Sequence, residues 1–248
     1  ERIPYVAHLT DSIVSTKQGD LVFAFRLAGV GFETVDDVTL NQWHERLNVV
    51  LRNVASLNLA LWTHLVRRPH TEPATELPDG LFARQLASHY RERLAGQRLM
   101  VNELFLSVVY RPQGTVGQAW LTRLLTRHDP KAAEQARTEA LEACAKLQQQ
   151  LTAAFGPYGP RLLRASDEGG VLRSELVAFL GQLVNVDAAP MPLGRTGLAA
   201  MLATTRPFFG SETIELRTPT ASRLAAVLGV KEYPTPSTPD MFHRLLTA

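Results

Sequence analysis

The sequence predicts an α/β (α+β) fold: a mixed β-sheet with flanking helices, plus a smaller antiparallel sheet near the C-terminal end. Three observations carry this. Runs rich in β-branched and aromatic residues alternate with stretches of helical period, hairpin signals lie towards both ends, and the composition is ordinary for a globular chain. Of 248 residues, 45% are hydrophobic and 20% charged, enough for one large domain or two modest ones.

The elements follow in order. Residues 11–17 (D-S-I-V-S-T-K) and 20–28 (D-L-V-F-A-F-R-L-A) are strand-like runs joined across Gln18-Gly19, a hairpin signal. Leu40, Trp43, Leu47, Val50, Leu51 and Val54 then recur at three- and four-residue steps. Asp36 and Asp37 suit the positive end of that amphipathic helix. The next strand, 57–68, is closed by Pro69, and a helix over 80–95 sets Phe82, Leu86, Tyr90 and Leu94 on one face. A second strand, 101–111, is closed by Pro112.

Both strands follow a helix and end in Arg-Pro, so one supersecondary unit reads as used twice. An alanine-rich helix covers roughly 131–155 and stops at Gly156-Pro157. Residues 160–166 form a short strand, 174–184 a helix and 188–194 a loop. Strands are predicted at Leu198 to Thr205, Thr213 to Arg217 and Arg223 to Val230, with a short helix, M-F-H-R-L-L, after the proline-rich Y-P-T-P-S-T-P-D.

Charge and cysteine usage narrow the function. Twenty-six basic against 24 acidic side chains leave a net charge of +2, too small to mark a nucleic-acid binder, so no nucleic-acid partner is expected for these residues. Only Lys17, Lys131, Lys146 and Lys231 are lysines. The arginine excess reads either as planar forks for carboxylates and phosphates or as GC-rich coding. The single cysteine, Cys144, precludes an internal disulfide, fits a reducing compartment and lies in an alanine-rich helical pattern as a small packing residue. No apolar run approaches the roughly 18–20 residues of a membrane-spanning helix, so no integral membrane segment is expected. The chain opens on Glu1, lacks a signal-peptide pattern and stops after H-R-L-L-T-A; both ends read as cuts in a longer protein.

Catalytic and ligand-binding motifs were sought at specific positions. Residues 189–196, A-P-M-P-L-G-R-T, sit near the G-x-x-x-x-G-K-[ST] phosphate loop, but Ala189 replaces the first glycine and Arg195 the lysine. Pro190 and Pro192 also remove N–H donors that a phosphate cradle needs, so the stretch reads as a turn. H-E-R-L-N (44–48) approaches H-E-x-x-H, yet Asn48 stands where the second zinc-binding histidine belongs; no metal site is expected, and His44 is placed on the solvated side of its helix. Neither G-x-S-x-G nor S-x-x-K occurs, so no catalytic residue and no cofactor-binding residue is assigned.

Arg67, Arg68 and Arg111 are the partner-contact candidates. If 57–68 and 101–111 are parallel strands of one right-handed crossover, these arginines share the carboxyl edge of the sheet, where ligands gather in open α/β folds. They would then contact an anion or an acidic partner; alternatively they solvate the rim and pair with nearby carboxylates.

Several stretches, in order, resemble the amino-terminal region of the type IV secretion ATPases of the CagE/TrbE/VirB family, in particular the fourth VirB component. They are I-P-Y-x-x-H-L-T-D (3–11), G-V-G-F-E-T-x-D-D (29–37), H-E-R-L-N (44–48), A-L-W-T-H-L-V-R-R (60–68), the run 90–112 from Y-R-E-R-L to Y-R-P, and K-E-Y-P-T-P-S-T-P-D-M-F (231–242).

The resemblance implies that 1–248 is an assembly or docking region of a larger ATPase, with a subdivision at 1–185 and 195–248 compatible with the pattern. It implies ATP and magnesium in the parent protein but none in these residues, since no nucleotide loop carries over. Implied partners are other secretion subunits at the inner membrane and further copies of the parent. The implied location is peripheral, on the cytoplasmic face of the bacterial inner membrane, with conjugative DNA or effector protein as cargo. A stand-alone nucleic-acid- or protein-binding module without enzymatic activity is the alternative.

Overall fold

The computed structural model describes residues 3–31, 34–69, 79–95, 99–112, 130–186, 189–218 and 221–227. Among these residues the main sheet has six strands: β1 (Tyr5–His8), β2 (Val14–Thr16), β3 (Leu21–Leu27), β4 (Leu59–Pro69), β5 (Met100–Tyr110) and β6 (Pro160–Leu162). They run in the order β1-β2-β3-β5-β4, with β6 also on β3. Helix α1 (Asp37–Val54) precedes β4, α2 (Leu81–Ala95) joins β4 to β5, and α3 (Pro130–Ala154) follows β5.

Every described pairing in this sheet is antiparallel. The parallel crossover expected for 57–68 and 101–111 is therefore not formed. β4 pairs with β5 from Leu59↔Tyr110 to Pro69↔Met100 without a register shift. Two similar helix-strand units can be joined as a long hairpin as readily as a crossover, and an Arg-Pro ending carries no information about strand direction.

The expected hairpin at Gln18-Gly19 is present. Gly19 takes φ +88 and its N–H donates to the Thr16 carbonyl at 3.0 Å, a left-handed conformation that glycine adopts at no steric cost. β3 follows as the central strand: all of it is buried except Arg26.

Side chains alternate across the sheet. Leu21, Phe23, Phe25 and Leu27, with Leu106 and Val108 of β5, form one core with Ala140, Cys144 and Leu151 of α3. Leu47, Val50 and Val54 of α1 pack at its margin. The 140/144/151 spacing keeps one stripe of α3 inward, and small Ala140 and Cys144 let the helix approach closely. Each large side chain buried here contributes roughly 1.5–3 kcal/mol. α1 begins as its sequence indicates, with Asp36 accepting from the Thr39 N–H at 2.8 Å. His44 on that helix is half-buried rather than fully solvated.

The opposite face of the sheet is covered by α4 (Glu175–Asn185) and α5 (Leu198–Leu202), whose Leu176, Val177, Phe179, Leu180, Leu198 and Leu202 pack with Val14, Ala24 and Phe105. The chain reaches this face through a 3-10 turn at Gly156–Tyr158 and then β6. Gly159 is required there: at φ +58 a Cβ would lie 2.9 Å from that of Ala28.

The strand expected over 160–166 divides, and a hairpin of β7 (Ala165–Glu168) and β8 (Val171–Ser174) follows. The small C-terminal sheet is present as β9 (Arg206–Phe209), β10 (Ile214–Arg217) and β11 (Ser222–Ala225), antiparallel in the order β11-β10-β9. The strand expected at Leu198 to Thr205 is instead α5, because L-A-A-M-L consists of strong helix formers and Leu198 and Leu202 meet the core one turn apart. The expected Arg223 to Val230 strand is shorter and starts at Ser222. The Y-P-T-P-S-T-P-D stretch and terminal helix lie outside the described residues.

Candidate functional site

Charged side chains gather on the α4-covered face, where β3, β5 and β4 lie side by side. Arg26 pairs opposite Phe105, and Arg68 opposite Val101, next to Glu103 along β5. Glu103 is nearly enclosed, with 9% of its side chain exposed. It accepts from Arg26 Nη2 at 2.8 Å, from Arg68 Nε at 2.8 Å and from Arg68 Nη2 at 3.1 Å. The bidentate Arg68 fork is the geometry in which guanidinium–carboxylate bonds are strongest. Its hydrogen bonds hold the Glu103 carboxyl below the usual range, against the opposing effect of burial.

A second pair lies alongside: Arg161 Nη1 donates to Glu175 Oε2 at 2.6 Å and Oε1 at 2.8 Å. Together with Phe105, Phe179 and Gln182 these residues line an open groove of about 370 Å³. A larger, also open depression of about 820 Å³ continues between α3 and β6, sharing Arg161 and Glu175.

His64 and Ser107 also face this side, and Nε2 and Oγ are 2.6 Å apart. A nucleophilic serine needs a base that is itself oriented, and donors for the developing oxyanion. Among the described residues no carboxylate bonds the other His64 nitrogen, while Phe179 meets its ring edge-on at 5.3 Å. Ser107 is buried in mid-strand. The pair joins β4 to β5 under α4, and burial lowers the His64 pKa. A similar contact links His8 Nε2 to Ser174 Oγ at 2.9 Å; Ser174 also caps α4, accepting from Val177 N–H at 3.0 Å.

The sequence-predicted arginines separate. Arg67 and Arg68 lie at one end of β4, on opposite faces by alternation, whereas the Arg111 N–H donates to the Asn58 carbonyl at the other end. Ten residues of strand put roughly 30 Å between them. There the Arg111 side chain stands 3.9 Å from Asp20. Arg68 alone joins the groove; Arg26, Glu103, Arg161 and Glu175 were not singled out from the sequence. A signal existed: Arg26 and Glu103 are isolated charges within otherwise apolar strand runs.

The 189–196 stretch lies along β8, where Leu193 N–H donates to the Leu172 carbonyl and the Met191 carbonyl accepts from Ser174 N–H. Two of its backbone groups are thus bonded to β8, Pro190 and Pro192 have no N–H to offer, and α5 behind it has only five residues. These residues do not fit a nucleotide phosphate. Cys144 is fully buried, and desolvation pushes its thiol up to about 12, a packing role. Among the described residues no helix is long and apolar enough to cross a membrane, and no group of three or more metal-ligating side chains gathers.

Comparison with known proteins identifies the class. The family described as the amino-terminal domain of type IV secretion system ATPase VirB4/TrbE matches residues 12–117. The CagE, TrbE, VirB family, a component of the type IV transporter system, matches 161–248. The chain belongs to this family of type IV secretion ATPases, as an amino-terminal region.

Over 99% of its length it is 33% identical to the type IV secretion system protein virB4 of Bartonella henselae, covering 32% of that protein. It is 31% identical over 98% of its length to the PtlC homolog of Bordetella bronchiseptica, covering 30%. To the virB4 protein of Agrobacterium fabrum it is 28% identical over 99% of its length, covering 31%. The chain spans about a third of the length of these curated relatives.

Proposed function

We propose that these residues are the non-catalytic amino-terminal part of an ATPase that energises type IV secretion, docking it to the inner-membrane complex and contributing to subunit assembly. The observation that carries this reading is the ordered match of two secretion-ATPase family descriptions over 12–117 and 161–248, in a chain whose one near-match to a phosphate loop is bonded into a hairpin. ATP and magnesium act, on this reading, in the part of the parent protein that these residues do not span. The site of action is peripheral, on the cytoplasmic face of the inner membrane, and the cargo is DNA or protein. Arg67 and Arg68 at one end of the sheet, and Arg111 at the other, are partner contacts on two separate surfaces rather than one.

Calorimetry with Mg-ATP on these residues, paired with co-purification against inner-membrane secretion subunits, tests the proposal. No ATP binding together with specific co-purification is expected. Saturable binding at micromolar ATP, or no association with any secretion subunit, overturns it.

A further inference from the structure

We infer that Arg26 and Arg161 form a clamp for one carboxylate, an Asp or Glu side chain on an extended segment of a partner protein lying in the groove beside α4. This rests on the docking role above and names the chemistry of the partner.

β3 and β6 place the two arginines directly opposite each other. The Ala28 N–H donates to the Gly159 carbonyl at 3.3 Å and the Leu163 N–H to the Ala24 carbonyl at 2.9 Å. Arg26 and Arg161 are therefore the hydrogen-bonded pair between them, with Cα atoms roughly 5.5 Å apart and side chains on one face. Like charges so placed destabilise a sheet. Each guanidinium turns to its own carboxylate, Arg26 through Nη2 to Glu103 and Arg161 through Nη1 to Glu175. Nε and Nη1 of Arg26, and Nε and Nη2 of Arg161, have no partner among the described residues. The two side chains are 46% and 52% exposed.

Charge decides the anion. The lining of the groove holds three guanidinium groups, those of Arg26, Arg68 and Arg161, against the two carboxylates of Glu103 and Glu175. One further carboxylate balances that set, and it matches the planar fork of arginine. A phosphate group, with about 1.5 to 2 negative charges at neutral pH, overshoots the balance and meets Glu103 and Glu175 at close range.

The shape of the groove decides the source. Its 370 Å³ open through Arg161 and Glu175 into the depression of about 820 Å³ between α3 and β6, space that a free carboxylate ion leaves mostly empty. Gln149 and Thr152 line that continuation. Because Arg161 and Leu163 bond β3, Leu162 turns its N–H and C=O away from β3, and nothing among the described residues bonds them. A polypeptide can use these backbone groups while one acidic side chain enters the clamp.

The test applies the whole chain to arrays of short immobilised peptides with random flanks and Glu at the centre, beside arrays with Gln, Lys or phosphoserine there. The Glu array should retain at least about fivefold more chain than the others, since charge-assisted bonds to half-exposed guanidinium groups are at stake. Arg26→Gln and Arg161→Gln should each remove that preference. Arg46→Gln, which loses the same charge from an exposed position on α1, should keep it. Arg161→Glu should shift the preference to the Lys array, and it keeps the test decisive if Arg26→Gln lowers the urea midpoint.

Equal retention on the Glu and Gln arrays, a preference for phosphoserine, or a preference kept by Arg161→Gln overturns the proposal. Changing Glu72 and Glu76 to Gln should leave retention as it was; a gain would make the chain's own acidic segment the occupant. A Glu preference that fades as chain concentration rises would put a second copy there. Either result also overturns it. Failure on the arrays beside intact co-purification with secretion subunits rejects the clamp alone; lost co-purification with a normal array response rejects the broader docking role.

Discussion

Replacing Glu103 by Gln should destabilise the fold by about 1–2 kcal/mol at neutral pH. The carboxylate is 9% exposed and receives three guanidinium hydrogen bonds from two strands. Hydrogen bonds to charged groups contribute about 1.5–3 kcal/mol each, against about 0.5–1.5 for neutral ones. The partners, however, are 46% and 47% exposed, so water screens them and only a fraction of that difference survives. Gln keeps the shape and one acceptor, which limits the loss further.

The pH dependence follows from the lowered Glu103 pKa. A depressed carboxylate contributes stability that is present above its unfolded value near 4.5, and loses it as pH falls through the folded value. Urea unfolding of both proteins from pH 7 to pH 3 should therefore show a gap that closes below about pH 4.5. A Gln variant equal to or more stable than the parent at pH 7 would mean that desolvation outweighs pairing. A gap unchanged down to pH 3 would mean that the loss is steric. Either result refutes the electrostatic account.

Three further outcomes are expected. Ser174→Ala removes the α4 cap and the His8 contact at once and should cost about 1–2 kcal/mol in urea unfolding; a change under about 0.5 kcal/mol would show that the cap is replaced by water. Burial lowers the pKa of both His8 and His64, so both favour the neutral form in the fold. Stability should then decline as pH falls below about 6.5, their unfolded value, and a His8→Gln/His64→Gln double variant should flatten that slope. A thiol reagent at pH 8 should leave Cys144 unmodified until urea unfolds the chain, because the thiol is enclosed and its pKa lies near 12; rapid labelling of folded protein would contradict the packing of α3.

Much of the fold was legible because its signals are local. Asp36 at the start of α1, the glycine turn at Gly19, the alanine-rich helix holding Cys144 and the helix expected over 174–184 each depend on neighbours within a few residues. Leu198 to Thr205 was misread because an apolar run of that length fits a buried helix as well as a strand, and periodicity cannot separate them. The β7–β8 hairpin went unrecognised although D-E-G-G carries its turn, with Gly170 N–H bonding the Asp167 side chain at 2.8 Å. Glu103 and Arg26 lie 77 positions apart; register alone joins them, and register is a tertiary property.

Strand direction has the largest functional consequence. A parallel β4 and β5 would have put Arg67, Arg68 and Arg111 on one rim, as a single contact. Antiparallel pairing carries Arg111 to the Leu59 end beside Asp20 and leaves Arg67 and Arg68 at the Pro69 end beside Glu103. In the strand order β4 is outermost among the described strands, and its central stretch carries no charged residue other than titratable His64. In the hairpin, the Asn58–Arg111 bond assigns even-numbered β4 residues to β5 and odd-numbered ones to the outer edge, so Thr63 can lose its N–H without loss to the sheet while His64 cannot. A proline at position 64 should therefore unfold the β4–β5 ladder where one at position 63 spares it, and comparable urea midpoints for the two variants would show that the register is not as described.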